Sequence, residues 1–226
     1  MTAKEDLFAH VCREVIVGVV REDKAEEAVA VAEAYRENGI RTLEITFTTP
    51  DASEIIATLV RAYPDLVIAA GTVRNANDAA TARRAGAKIL VSPHTDTRVI
   101  EYATEHDLLV IAGAATPTEI IRAWEAGADI VKVYPAPHLG GPDYIRTIKG
   151  PIRDIPMLAG GPITLDSIES YLEAGAVAVN LGGSLAVPDL VRARKWDEIG
   201  KRALLACSIV QSRRGDAMKM SSSTVH

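Results

Sequence analysis

Cysteine is almost missing from this 226-residue chain. Cys12 and Cys207 stand far apart and form neither a metal-ligand spacing nor a redox pair, so a reducing compartment, the cytoplasm, is the expected location. An excess of basic charge is also missing. The net charge of −5 leaves no electrostatic footprint for nucleic acid or an anionic membrane, and neither is expected as a partner. No apolar run reaches the roughly 18 residues that a membrane-spanning helix needs. The first ten residues include Lys4, Glu5 and Asp6 and lack the apolar core of a signal peptide. No glycine-rich dinucleotide fingerprint follows the first apolar run, which weighs against a doubly wound nucleotide-binding sheet.

What the chain does have is alternation. Short runs rich in Val, Ile and Leu recur at residues 15–20, 42–46, 67–70, 88–91, 108–112, 130–134, 155–159 and 177–181. Most are apolar on both faces, as strands of a helix-covered parallel sheet are. Amphipathic stretches such as 24–37, 52–62 and 163–173 lie between them. Several end alike: Glu37-Asn38-Gly39, Arg84-Ala85-Gly86, Glu125-Ala126-Gly127 and Glu173-Ala174-Gly175 each put Gly where a helix terminus takes a left-handed residue. Thr116-Pro117-Thr118-Glu119 reads as a capping box with Pro at the first helical position. Eight β/α units in a chain of this length predict a single (β/α)8 TIM barrel, with an open doubly wound sheet as the alternative. Residues 3–13 read as an extra N-terminal helix. The barrel domain is expected over 1–210, and the polar, Ser-rich stretch 211–226 is expected to be a disordered tail.

Within this alternation, Lys132 stands out. It interrupts Ile130-Val131-Lys132-Val133-Tyr134, a run that otherwise reads as a buried strand. Burial favours the neutral amine, which is a nucleophile toward carbonyls; the plain alternative is a lysine whose head snorkels to water. Period-two alternation puts Lys132 and Tyr134 on one face, with Val131 and Val133 toward the helices. It likewise groups Glu44, Thr46 and Thr48 against Leu43, Ile45 and Phe47, and aligns Val17, Val19 and Arg21. A Glu, a Lys and an Arg can therefore converge inside one barrel. For Glu44 and Lys132 the alternative is a structural ion pair, a poor source of stability once desolvation is counted. Gly160-Gly161 and Gly182-Gly183-Ser184 follow the seventh and eighth strands, where this barrel commonly binds phosphate. Glycine lets backbone N–H groups approach an anion.

These residues resemble a known family, the 2-keto-3-deoxy-6-phosphogluconate / 4-hydroxy-2-oxoglutarate aldolases, which are class I (Schiff-base) aldolases. The resemblance spans roughly residues 14–190. It rests on Leu43-Glu44-Ile45-Thr46-Phe47-Thr48-Thr49-Pro50, Ala70-Gly71-Thr72-Val73, Val91-Ser92-Pro93-His94, the Lys132 strand through Pro135, Lys149-Gly150-Pro151 and the two glycine loops. It implies Lys132 as the Schiff-base lysine and Glu44 as the general acid/base. It implies Thr72 at the pyruvate carboxylate, Pro93 and Tyr134 lining the pocket, and Gly160, Gly161, Gly183 and Ser184 at the phosphate. It also implies a small-molecule 2-keto acid as substrate, a homotrimer, and no metal or organic cofactor.

The chain departs from the family pattern at three places. Thr48 stands where many members have an Arg that holds substrate anions, and Arg21 is expected to supply that cation from the first strand. Leu158-Ala159 replaces a usual Pro-Thr, which bears on substrate identity more than on reaction type. Ala112 replaces a common Pro. The expected activity is cleavage of a 2-keto-3-deoxy-6-phospho sugar acid, of gluconate or galactonate type, to pyruvate and glyceraldehyde 3-phosphate. Alternatives are 4-hydroxy-2-oxoglutarate cleavage, a phosphate-binding barrel isomerase or synthase without covalent lysine chemistry, and a non-catalytic sugar-acid binder.

Overall fold

The computed structural model describes residues 2–223, with side chains through Arg213. The strands are β1 (Ile16–Val20), β2 (Thr42–Thr46), β3 (Val67–Gly71), β4 (Ile89–Val91), β5 (Leu109–Ala114), β6 (Ile130–Val133), β7 (Met157–Ala159) and β8 (Ala178–Leu181). Each pairs in parallel with its sequence neighbours, and β8 returns to β1, so the sheet is a closed barrel. Helices α1 (Ala3–Glu14), α2 (Ala25–Glu37), α3 (Ala52–Ala62), α4 (Ala76–Arg84), α5 (Thr97–Glu105), α6 (Pro117–Glu125), α7 (Gly141–Lys149), α8 (Ile168–Glu173), α9 (Pro188–Arg192) and α10 (Trp196–Ser223) complete it. The fold is a (β/α)8 TIM barrel.

The helix ends follow the residue types that mark them. Gly39, Gly86, Gly127 and Gly175 all adopt positive φ beyond α2, α4, α6 and α8. Thr116 and Glu119 form the reciprocal capping box of α6, with Pro117 at its start. Two strands depart from the apolar runs by two residues at one end. β7 starts at Met157 rather than 155, because Pro156 has no N–H to donate to a ladder. β5 continues through Gly113 to Ala114; Ala112 lies inside it, opposite Val131.

Strand parity sorts the core into two layers. Val17, Ala69, Ile89, Val91, Leu109, Ile111, Ile130, Leu158 and Ala178 fill the barrel, and Leu7, Phe8 and Val11 of α1 pack against that cluster. α1 touches β1, β5 and β8, so the extra helix plugs the barrel interior. Leu43, Ile45, Val110, Val131, Val133, Ala159, Val179 and Leu181 face outward and bury with the helices. Each Leu or Ile so buried contributes about 1.5–3 kcal/mol.

The last helix runs through Ser223, past residue 211 where the polar composition leads to an expectation of disorder. No proline interrupts that stretch, and Ala, Met and Lys at 217–220 are good helix formers. Residues 224–226 lie outside the described residues. Among the described residues no helix is long and apolar enough to cross a membrane.

Candidate active site

The inner layer turns from apolar to polar at the C-terminal ends of the strands. On β6, Ile130 fills the barrel and Lys132 is the next residue on that face. On β2, Glu44 points inward between the outward-facing Leu43 and Ile45. On β8, Asn180 follows Ala178 on the inner face. Lys132 is 7% exposed, Glu44 1% and Asn180 3%, so three polar side chains share one nearly dry place.

Their contacts are specific. Lys132 Nζ lies 3.7 Å from Glu44 Oε1, an ion pair too long for a direct hydrogen bond. Asn180 Nδ2 donates to the other carboxylate oxygen, Oε2, at 2.8 Å. The Lys132 ammonium position lies 5.5 Å from the centre of the Tyr134 ring, in cation–π range. Burial holds the Lys132 amine below the usual lysine range; Glu44 opposes that shift, and the Arg21 charge reinforces it.

Two glycines make the room. Gly71 shares the inward face of Ala69, and a Cβ on it would meet Glu44 Oε1 at 2.3 Å. Gly160 shares the face of Leu158, and a Cβ on it would meet Lys132 Cε at 2.5 Å. Any larger residue at either place would displace one of the two charged groups.

Above this floor opens a cavity of about 870 Å³, within the size range of small-molecule sites. Lys132, Glu44, Tyr134, Arg21, Gly161, Gly183 and Ser184 line it, so most of the sequence-expected site meets here. Gly160 lies beneath, against the Lys132 stem. Among the described residues, the backbone N–H groups of Gly161, Gly183 and Ser184 have no acceptor, and Ser184 Oγ has no partner. Donors gathered this way on a cavity wall suit an anion.

Arg21 extends from the end of β1. Its side chain donates to Thr72 Oγ1 at 3.4 Å and, among the described residues, pairs with no carboxylate. Thr72 is held at φ 57°, a left-handed conformation uncommon for threonine. Further along the mouth, Lys24 pairs with Glu27 at 2.7 Å. Glu22 is pushed up to about 7, first by burial and then by Glu27 and Asp23.

Besides Gly160, four expected residues lie off the cavity wall. Thr46 is buried beneath the strand end and bonds Thr48 Oγ1 at 2.9 Å and Thr49 Oγ1 at 3.3 Å. Thr48 does not continue the inward face of Glu44: β2 ends at Thr46, the chain turns, and Thr48 is exposed. Thr72 reaches the site through Arg21. Pro93 packs its backbone against Gly113, where a Cβ would lie 2.2 Å from the Pro93 carbonyl carbon. Ala159 packs in the outer layer, so the missing hydroxyl there takes no group from this cavity.

Asn180, on the cavity wall and bonded to Glu44, is the residue that the reading of the sequence did not single out. Its signal was present: a lone amide on the inward parity of an apolar strand, the same pattern that singled out Lys132 and Glu44.

Known proteins resemble the chain over most of its length. Residues 9–202 match the family model described as KDPG and KHG aldolase. The chain is 36% identical to the 2-dehydro-3-deoxy-phosphogluconate aldolase of Treponema pallidum (strain Nichols) over 76% of its length and 82% of that protein. It is 31% identical to the 2-dehydro-3-deoxy-6-phosphogalactonate aldolase of Escherichia coli (strain K12), over 75% of this chain and 83% of the relative. Its fold overlays the 2-keto-3-deoxy-6-phosphogluconate aldolase of Zymomonas mobilis ZM4, solved with 3-phosphoglycerate, with a TM-score of 0.77 at 28% identity, covering 88% of this chain and 94% of that one.

Proposed function

This chain belongs to the KDPG and KHG aldolase family, and from that premise we propose that it cleaves a 2-keto-3-deoxy-6-phospho sugar acid, of gluconate or galactonate type, to pyruvate and glyceraldehyde 3-phosphate through an imine on Lys132. The observation that carries the reading is the buried Lys132 amine 3.7 Å from Glu44 at the C-terminal end of the barrel.

The geometry supports the following steps. The neutral Lys132 amine adds to the C2 ketone. Glu44 supplies the proton with which the resulting hydroxyl leaves as water, and a protonated imine forms. That imine accepts the electron pair of the C3–C4 bond while Glu44 takes the proton of the C4 hydroxyl. The aldehyde departs, and the enamine is protonated and hydrolysed to pyruvate. The free N–H groups of Gly161, Gly183 and Ser184 suit the phosphate, and Arg21 with Thr72 suits a substrate carboxylate. The acceptor-free loop donors favour a phosphorylated substrate over 4-hydroxy-2-oxoglutarate. The assembly in this reading is a homotrimer, to be weighed by light scattering of the purified protein.

Borohydride trapping with pyruvate tests the chemistry. The wild-type chain should gain one reduced pyruvyl adduct on Lys132, and Lys132→Ala should gain none. An adduct that persists in Lys132→Ala would remove the lysine from the mechanism. Pyruvate release from the gluconate- and galactonate-type substrates then ranks them.

A further inference from the structure

Asn180 lies on the cavity wall, donates to Glu44 Oε2 at 2.8 Å, and leaves its own Oδ1 buried with no partner among the described residues. The orientation of the amide follows from chemistry. An ionised carboxylate only accepts, so the amide nitrogen must face Glu44 and the amide oxygen must face away from it. The reverse orientation would set two acceptors against each other. A buried acceptor without a donor is costly and is rarely tolerated in a folded protein unless a ligand or water meets it. Glu44, for its part, has one oxygen held by Asn180 and the other facing Lys132.

We propose that Asn180 takes part in the reaction: its Nδ2 fixes which Glu44 oxygen works, and its Oδ1 accepts a hydrogen bond from the hydroxyl formed when the Lys132 amine adds to the ketone. This inference rests on the aldolase reading above. When the amine has added, C2 carries a hydroxyl and the nitrogen. Glu44 takes the ammonium proton as Lys132 becomes the neutral nucleophile, and it now gives that proton to the hydroxyl oxygen; the C2–O bond breaks, and the nitrogen lone pair forms the C=N bond. The oxygen leaves as water. Its original hydrogen points to Asn180 Oδ1 throughout, which holds the leaving oxygen in line with the Glu44 proton. The amide thus ties the proton donor and the departing group into one network. The charged group against this carboxylate is Lys132 from β6 at 3.7 Å, and Arg21, Glu22, Asp23, Lys24, Glu27 and Arg192 line the same cavity.

The test uses Asn180→Ala and the isosteric Asn180→Asp in the full chain. Measured are the rate of the borohydride-trapped pyruvate adduct and the pH profile of kcat/KM. Asn180→Ala should form the same adduct about tenfold more slowly, the scale of one charge-assisted hydrogen bond. Asn180→Asp sets a like charge on Glu44 and should move the acid limb of the profile upward by about one pH unit. If both variants trap pyruvate at the wild-type rate with an unmoved profile, Asn180 only fills space and the inference falls, whatever happens to thermal stability. If the wild-type chain traps no pyruvate, the aldolase reading itself has failed, a result distinct from the first.

Discussion

Gly160 gives up its side-chain volume to Lys132. A Cβ on Gly160 would stand 2.5 Å from Lys132 Cε and 2.9 Å from its Cγ. The backbone there is not left-handed, so alanine is conformationally allowed, and the lysine stem must move instead. Gly160→Ala should therefore fold with a melting temperature near that of the wild type while kcat/KM falls about 100-fold, the scale of a displacement of about 1 Å at a reacting group. Unchanged kinetics would show that the lysine has room the geometry does not grant it.

Glu44→Gln keeps the shape and the contact with Asn180 but removes the titrating proton. Turnover should fall by about 10²–10⁴-fold, the range of a positioned acid/base. Imine formation with pyruvate should slow yet remain detectable by borohydride trapping. Wild-type turnover in this variant would take Glu44 out of the mechanism.

Arg21 is exposed, and its side chain bonds only Thr72 among the described residues, so its removal should cost little stability. Arg21→Met should raise KM about tenfold with a smaller effect on kcat. It also removes a positive charge that lowers the Lys132 amine. The ammonium form is then favoured, and the acid limb of the pH profile should move to higher pH. Kinetics across pH 5–9, with a thermal melt as control, check both outcomes. A loss confined to stability would contradict the assignment.

Glu22 supplies a pH-dependent term at the mouth. Its carboxyl stands at about 7 in the folded chain against an ordinary 4.5, raised first by burial and then by Glu27 and Asp23. Between those values the folded chain keeps a proton that the unfolded chain has released, so stability falls as pH rises through that window. Glu22→Gln should raise the melting temperature more at pH 8 than at pH 5. An equal change at both pH values would contradict the shift.

The strands were legible because parallel strands buried on both faces must be apolar, and period two then says which residues look inward. Lys132 and Glu44 were legible for the complementary reason: a charge on such a strand stands against the burial that surrounds it. Glycine spacing marked helix ends, and four of those glycines take positive φ. The same parity that found Lys132 also carried Asn180, but an uncharged amide is a weaker contrast with its neighbours than a lysine or a glutamate.

Other features became visible only when the barrel closed. Asn180 and Glu44 are 136 residues apart and meet because β8 returns to β1, one strand from β2. That Gly71 makes space for Glu44, and Gly160 for Lys132, depends on how side chains from neighbouring strands interdigitate in the interior. Thr48 left the inward face because β2 ends two residues earlier, at a turn set by its hydrogen-bonded threonine neighbours. The sequence by itself determined the elements, their order and the inward parity, since local periodicity and burial decide those. Tertiary structure alone decided which inward residues touch, because contact across a closed barrel depends on register and curvature, and neither is encoded in any one strand.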